Sequence, residues 1–533
     1  MNFYSIKIKF LFYLVLGVFS FYVNYFFSNK GLFPIDTFSF FDTGYLITQG
    51  YHPIRDFWVI SGIFIDYIQA LFFIIFGFNW NAYIFHSSFF NMILSLFFYF
   101  FLNNLNKNFF INFLLSVSVA ILCYPVSGTP FPYQHSYIIS LISLLIFYLA
   151  VYKDNQRYWL ILPVTMLLSF VSMQMPSGLI NVLILLFTLI YYIKFKKKFL
   201  LSFLKGVCIC LILIIFYFSF LNVNFKDFLI QIFLFPFSVG EGRILGDESS
   251  YASANLFNKF TFRGVFGHFK FIILFLVANL ISIYLYINKV KKFDKFILLN
   301  ALIVLCGISF IFHQLITANQ TFIFSLIPIL GGLFIVQLKD FFNIDKIKFN
   351  FFIILLIFFT TIKYNYVYNI KRKFMDLQQI NFDNSLKAEK LNKKFKNLDW
   401  ITPFYYSDKS AKELDLLKET IKVLSLENHH EIIIITHYQF FSLLLEKKIR
   451  ILNRWYFPEN NTHPTSVNNK YYSHYVTKNK NIIKNNDIKK IFLVNTYPEE
   501  FSFINIKDLL INQCFTKQKY NIMLSVINIK PCN

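Results

Sequence analysis

Long, mostly apolar stretches recur eleven times before residue 365, and a chain built this way has few folds open to it. A helix that crosses the hydrocarbon core of a bilayer needs about 20 such residues, with roughly 17 to 25 tolerated. The runs cover residues 10–27, 84–102, 109–124, 136–152, 158–174, 179–193, 200–221, 268–287, 296–312, 321–337 and 349–364. Charged residues make up 15% of the 533, against about 25% in an average soluble domain, and they gather between the runs. A string of soluble domains is excluded, and the chain reads as a polytopic α-helical membrane protein. The net charge of +23 does not point to nucleic acid, because the lysines sit in short clusters beside apolar runs. There they act as orientation signals and contacts for anionic lipid.

Orientation follows from the distribution of Lys and Arg. With the N-terminus inside, the inner segments hold sixteen, including the clusters Lys194–Lys198 and Lys289–Lys295. The outer segments before the tail hold six: Lys30, Arg55, Lys226, Arg243, Lys259 and Arg263. This asymmetry predicts an N-in, C-out protein of the cytoplasmic membrane with about eleven transmembrane helices. The first run follows Lys7 and Lys9 and lacks a small-residue cleavage site, so it is expected to be retained. Residues 59–77 form a twelfth apolar run, but counting it as a span would reverse every later loop. It also carries Asp66 and Gln69, which are costly against lipid. It is expected to be an interfacial or re-entrant helix of the first outer loop, residues 28–83.

Composition changes abruptly after the last run. Residues 1–366 read as the membrane domain, and residues 367–533, rich in Lys, Asn, Asp and Glu, as a small extracytoplasmic α/β domain. A helix is predicted at 408–426 and strands at 431–436, 489–495 and 521–529. Cys123, Cys208, Cys210 and Cys306 fall in predicted helices as small packing residues. Cys514 and Cys532 lie in the tail, where an oxidising compartment favours a disulfide between them.

The first outer loop gathers most of the chemistry. Asp36, Asp42 and Asp56 lie with His52 and Arg55 beside the membrane surface. An acidic residue opens a short helix, a Gly follows, and a Pro-x-Arg-Asp-aromatic turn leads into an apolar helix ending in Phe-Gly. On Asp36, Asp42, Gly50, Pro53, Arg55, Asp56, Phe57, Gly62 and Phe76-Gly77, the loop resembles that of the GT-C superfamily of membrane glycosyltransferases. That superfamily includes protein mannosyltransferases and bacterial lipid A aminoarabinose transferases. The resemblance covers roughly residues 30–100 and implies a catalytic acid in the first outer loop, interfacial helices there, and a sugar donor on a polyprenyl phosphate. Two positions depart from the pattern: Ile63 stands where a Pro is usual, and Thr43 follows Asp42 in place of an acidic partner.

The residues suit that chemistry on their own terms. Transfer from a lipid-phosphate sugar needs a base for the acceptor hydroxyl, which a carboxylate can supply, and cations for the departing phosphate, which Arg55 and Arg243 can supply. His52 and His313, with Asn319 and Gln320 in a polar segment free of Lys and Arg, are candidates for holding the sugar. Each has a plainer reading: Asp36 as a helix cap, Asp42 as a solvated face residue, Asp56 as the partner of Arg55, Arg243 as a solvent-facing residue of a Gly-containing loop. On the residues alone Asp42 is favoured as base, because capping already accounts for Asp36, while the family pattern fits Asp36 at least as well. His52, His86, His135, His268 and His313 all fall toward the outer side. No motif has metal-ligand spacing, since His429, His430 and His437 only flank a predicted strand, and the site leaves room for a divalent metal without requiring one.

The expected function is transfer of a sugar from a polyprenyl-phosphate donor to an envelope glycan, lipid or protein acceptor at the outer face. A transporter or flippase for a lipid-linked or polar solute is the main alternative. It would show paired broken helices and midplane charge, whereas Pro163 and Pro328 are isolated and midspan charge is nearly absent. A non-catalytic envelope-assembly protein is the other.

Overall fold

A computed structural model describes residues 3–106, 108–123, 128–195, 199–246, 256–290, 293–317, 323–342, 347–510 and 513–532. Among these, nine helices are long and apolar enough to cross a membrane. Eight fall on runs read from the sequence. Three further runs are also helical, at Phe109–Leu122, Gln156–Ser172 and Leu326–Phe342, but shorter. The ninth candidate, Phe225–Leu245, lies in a stretch read as loop. Its Pro236, Gly240 and Gly242 suggest a break, yet Phe235–Leu245 is helical through all three, entered from a turn in which the Phe235 N–H donates to Ile230 O. A π-helical segment, Leu229–Leu234, joins that helix to Phe225–Phe228 before it.

Side-chain chemistry sorts the helices by depth in the bundle. Leu200–Leu221 is apolar around its circumference and buries only Gly206 and Cys210, so it faces lipid. Pro132–Lys153 carries Gln134, Ser136, Ser140 and Ser143 and is buried along nearly its whole length. Small and polar residues allow close packing and interhelical hydrogen bonds where lipid offers no partner.

Ile63–Phe76 has 14 residues, about 21 Å of helix, which falls short of a hydrocarbon core of about 30 Å. Asp66 and Gln69 on it are fully buried against protein.

The tail contains a four-stranded sheet. Ile432–Thr436 pairs in parallel with Lys490–Val494, which pairs antiparallel with Leu524–Lys530, and Cys514–Lys519 closes the edge antiparallel to Leu524–Lys530. The predicted helix appears as Ser410–Leu426. The composition boundary near residue 367 marks no gap in packing. Leu32, Phe38, Phe41, Trp80 and Tyr83 share one apolar cluster with Trp400, Leu414, Phe440 and Val526. The backbones are joined as well: Leu32 N–H donates to Ile401 O at 2.9 Å, and Trp58 N–H to Leu452 O at 2.8 Å.

Candidate functional site

The three first-loop carboxylates differ sharply in surroundings. Asp36 lies in the one-turn helix Pro34–Thr37, started by the fixed φ of Pro34 and closed by Thr37, whose Oγ1 accepts the Phe33 N–H at 2.9 Å. Tyr83 anchors that turn by donating to Thr37 O at 2.7 Å. Asp36 is inside the turn, so it is not its cap. Its side chain is buried, accepts no hydrogen bond from any described residue, and burial pushes its pKa up to about 7.

Asp42, in the helix Phe41–Thr48, is buried but fully engaged. Its two oxygens accept the backbone N–H groups of Ser442 at 3.1 Å and Leu443 at 2.9 Å, in the first turn of the tail helix Phe441–Leu445. Burial raises its pKa to about 7 although these hydrogen bonds oppose the shift. It is a joint between loop and tail and not a solvated face residue.

Asp56 accepts from His52 N–H at 2.7 Å and pairs with Arg55 at 2.7 Å. Arg55 also donates to Gly50 O at 2.6 Å and Leu221 O at 3.1 Å, so the Pro-x-Arg-Asp segment is a self-satisfied turn. His52 meets the Tyr67 hydroxyl at 3.2 Å, and burial, aided by Arg55, lowers its pKa.

Arg243 is helical, on Phe235–Leu245, not in a loop. Its guanidinium donates to Asn461 of the tail, its carbonyl accepts from Lys259 Nζ at 2.9 Å, and its charge reaches His313. His313 is buried at the end of Lys295–Ile316 and lies 5.4 Å from the Tyr133 ring. The structure thus brings Arg243, Lys259 and His313 together. Asn319 and Gln320 lie outside the described residues.

Sequence reasoning missed a second group. His437 and Glu500 follow the parallel strands Ile432–Thr436 and Lys490–Val494, and their side chains meet at 3.1 Å while buried. Thr496 fixes Glu500 with its N–H and its hydroxyl, each at 2.6 Å. Both residues line a cavity of about 360 Å3 together with Glu413, Phe404, Tyr438 and Tyr497, and Phe33, Pro34 and Ile35 of the Asp36 turn form another of its walls. Glu413 accepts from Tyr438, Trp400 and Thr402 at 2.5, 2.9 and 2.8 Å, and burial raises its pKa to about 7. Phe404 is 65% exposed and holds φ +64°, a conformation that bulky residues rarely adopt outside functional or strained sites. The available signal was positional, because side chains just past the C-terminal ends of parallel strands commonly face ligands.

Among the described residues no cluster of three or more His, Cys, Asp or Glu side chains could hold a metal ion. With Asp42 occupied by backbone amides, Asp36 has no second free carboxylate beside it on the helix Phe41–Thr48. In the tail, Cys514 and Cys532 stand with Cα atoms 4.9 Å apart and their sulfurs adjacent, within the usual disulfide range.

No protein-family model matches the sequence. Comparison with curated proteins gives no match. Among solved structures, the chain is similar to the crystal structure of the Archaeoglobus fulgidus oligosaccharyltransferase in complex with zinc and sulfate, with a TM-score of 0.50 and 12% identity. The match covers 97% of this chain and 73% of that one. At that identity the likeness is one of fold, and it extends over nearly the whole of this chain.

Proposed function

We propose that the chain is a GT-C-type membrane glycosyltransferase that moves a sugar from a polyprenyl-phosphate donor to an envelope glycan, lipid or protein acceptor. One observation carries the reading: of the first-loop carboxylates, Asp36 alone is buried, unpartnered among the described residues and shifted to about 7, as a general base working near neutrality requires. Asp42 and Asp56 are committed to structure.

In the proposed reaction, Asp36 takes the proton of an acceptor hydroxyl as its oxygen attacks the anomeric carbon. The bond from that carbon to the phosphate oxygen breaks, and the electron pair leaves with the polyprenyl phosphate. Arg243 and Lys259 supply positive charge for the departing phosphate. The cavity beside the Asp36 turn offers aromatic faces from Phe404 and Tyr497 and the carboxylates of Glu413 and Glu500, and no Lys or Arg is among its lining residues. That lining suits the hydroxyl-rich, uncharged surface of a sugar, and the cavity is assigned to the acceptor.

The test compares the envelope glycans of cells with and without the gene by mass analysis, then with the gene carrying Asp36→Asn. Loss of one defined sugar in both the deletion and the Asp36→Asn strain supports the reading. An unchanged glycan profile in the Asp36→Asn strain, with normal protein level, overturns it in favour of a transporter or assembly role.

A further inference from the structure

Arg55 belongs to a second place in the molecule. A cavity of about 410 Å3 opens where the first loop, the end of Leu200–Leu221 and the tail helix Tyr472–Asn485 meet. Arg55, Asp56, Asp227, Arg450, His474 and Lys478 line it, with amide side chains from residues 481, 485 and 486.

The charges of this pocket do not balance. Asp56 is used by Arg55 and the His52 N–H. Asp227 is held between His474 at 2.9 Å and Lys478 at 2.7 Å. Arg450 has no carboxylate among the described residues and instead stands 4.7 Å over the Tyr51 ring, with Lys448 4.0 Å from the same ring. Burial, with the charges of Arg450 and Arg55, lowers the Lys448 pKa, so the cations are close enough to repel one another. Three strong cations, Arg55, Arg450 and Lys478, therefore line the pocket with two carboxylates that are already paired, and Lys448 stands beside Arg450 at the Tyr51 ring. An anion in the pocket would relieve that repulsion.

Tetrahedral oxyanions fit the donors. Guanidinium groups grip phosphate oxygens through paired N–H bonds, and the Thr477 hydroxyl and the amides add neutral donors around them. The location is informative too. Arg55 Nη1 donates to Leu221 O at the last residue of Leu200–Leu221, whose Phe216 and Phe220 are 58% and 70% exposed on a lipid-facing helix. That contact sets the pocket floor at the end of an apolar helix whose exposed face suits lipid.

We propose that this pocket binds a phosphate ester, with Arg450 as its principal donor. The proposal is independent of the glycosyltransferase reading, since none of these groups serves the Asp36 reaction. A lipid headgroup and a phosphate carried by a soluble glycan present the same chemistry, and two arms separate them. In the first, the full chain in neutral detergent is titrated with sodium phosphate against sodium chloride of equal ionic strength, and the melting temperature is read. In the second, the chain in phosphatidylcholine nanodiscs is compared with the chain in nanodiscs that also contain phosphatidylglycerol, and native mass spectrometry counts the retained anionic lipid.

Wild type is expected to bind in at least one arm. Arg450→Gln should bind about 10- to 100-fold more weakly, as expected for the loss of one charge-assisted contact. Lys418→Gln, on an exposed helix face, should behave as wild type. Response to phosphate alone assigns a soluble ester, and response to phosphatidylglycerol alone assigns a lipid headgroup. Absence of any wild-type response in both arms overturns the proposal. So does a response that survives undiminished in Arg450→Gln.

Discussion

Arg454 donates to Asp66 at 2.7 Å, joining the tail to the first loop across 388 residues of chain with both side chains fully buried. The Thr43 hydroxyl donates to the other Asp66 oxygen at 2.6 Å, and the Arg454 guanidinium stands 4.6 Å over the Phe40 ring while also donating to Ser61 O. Burial raises the Asp66 pKa to about 6 against the pull of Arg454 and Thr43. Helices Phe41–Thr48 and Ile63–Phe76 thus take their mutual position partly from a tail residue. The tail works as a clamp on the loop that carries Asp36.

Removing one partner of this pair should therefore cost more than the pair itself contributes. Arg454→Met leaves a buried carboxylate uncompensated, a loss of about 3–5 kcal/mol in comparable sites. The purified full chain is expected to melt at clearly lower temperature, and the double variant with Asp66→Asn should recover part of the loss. A single variant that melts like wild type would show that the pair does not hold the clamp.

Asp42 should behave as a structural residue. In Asp42→Asn one backbone N–H of Ser442 or Leu443 faces an NH2 group instead of an oxygen, and an unsatisfied buried donor costs about 1–3 kcal/mol. The expected result is faster proteolysis within the tail, with any activity loss tracking the loss of folded protein. Full stability combined with abolished transfer would return Asp42 to the catalytic role that the sequence favoured.

What was legible from sequence was local. Apolar run length found the helices, and short apolar runs found Ile432–Thr436, Lys490–Val494 and Leu524–Lys530. The edge strand Cys514–Lys519 was missed because it is polar on both faces and largely exposed, so it has no alternation to read. Phe235–Leu245 was missed because Pro and Gly weigh toward a loop when the π-helical turn before them is unseen. The site was legible as a segment and not as roles. Asp36, Asp42 and Asp56 look alike in sequence, and what separates them is whether Ser442, Leu443 or Arg55 occupies the carboxylate. Two of those three partners lie about 400 residues away, where no spacing rule reaches.

The pairing of Cys514 with Cys532 has a direct check. Closing a loop over a separation of 18 residues stabilises by about 3 kcal/mol in the chain-entropy model. Unfolded, unreduced protein should leave both thiols unlabelled while Cys123, Cys208, Cys210 and Cys306 react. Reduction should then expose two more. Six labelled thiols before reduction would show that the pair is not oxidised in the cell.

Asp36 separates stability from activity through pH. Its pKa is raised from 3.8 to about 7, so the folded chain holds a proton that the unfolded chain releases between those values. Its contribution to stability is fully present below about 3.8, declines as pH rises toward 7, and changes no further above it. At 1.36 kcal/mol per unit the decline is of the order of 4 kcal/mol. Activity should run the other way, because a base must be unprotonated to act: transfer should rise with pH and level off above about 7. Asp36→Asn removes both slopes. It should lower transfer by about 100- to 10,000-fold, yet at pH 8 the variant should be at least as stable as wild type, since an amide carries no buried charge. Asp42 and Glu413, also near 7, keep their own share of the stability slope, which makes wild type the necessary control. A variant that loses activity only in step with its melting temperature, or one whose transfer still rises through pH 7, would remove Asp36 as the base.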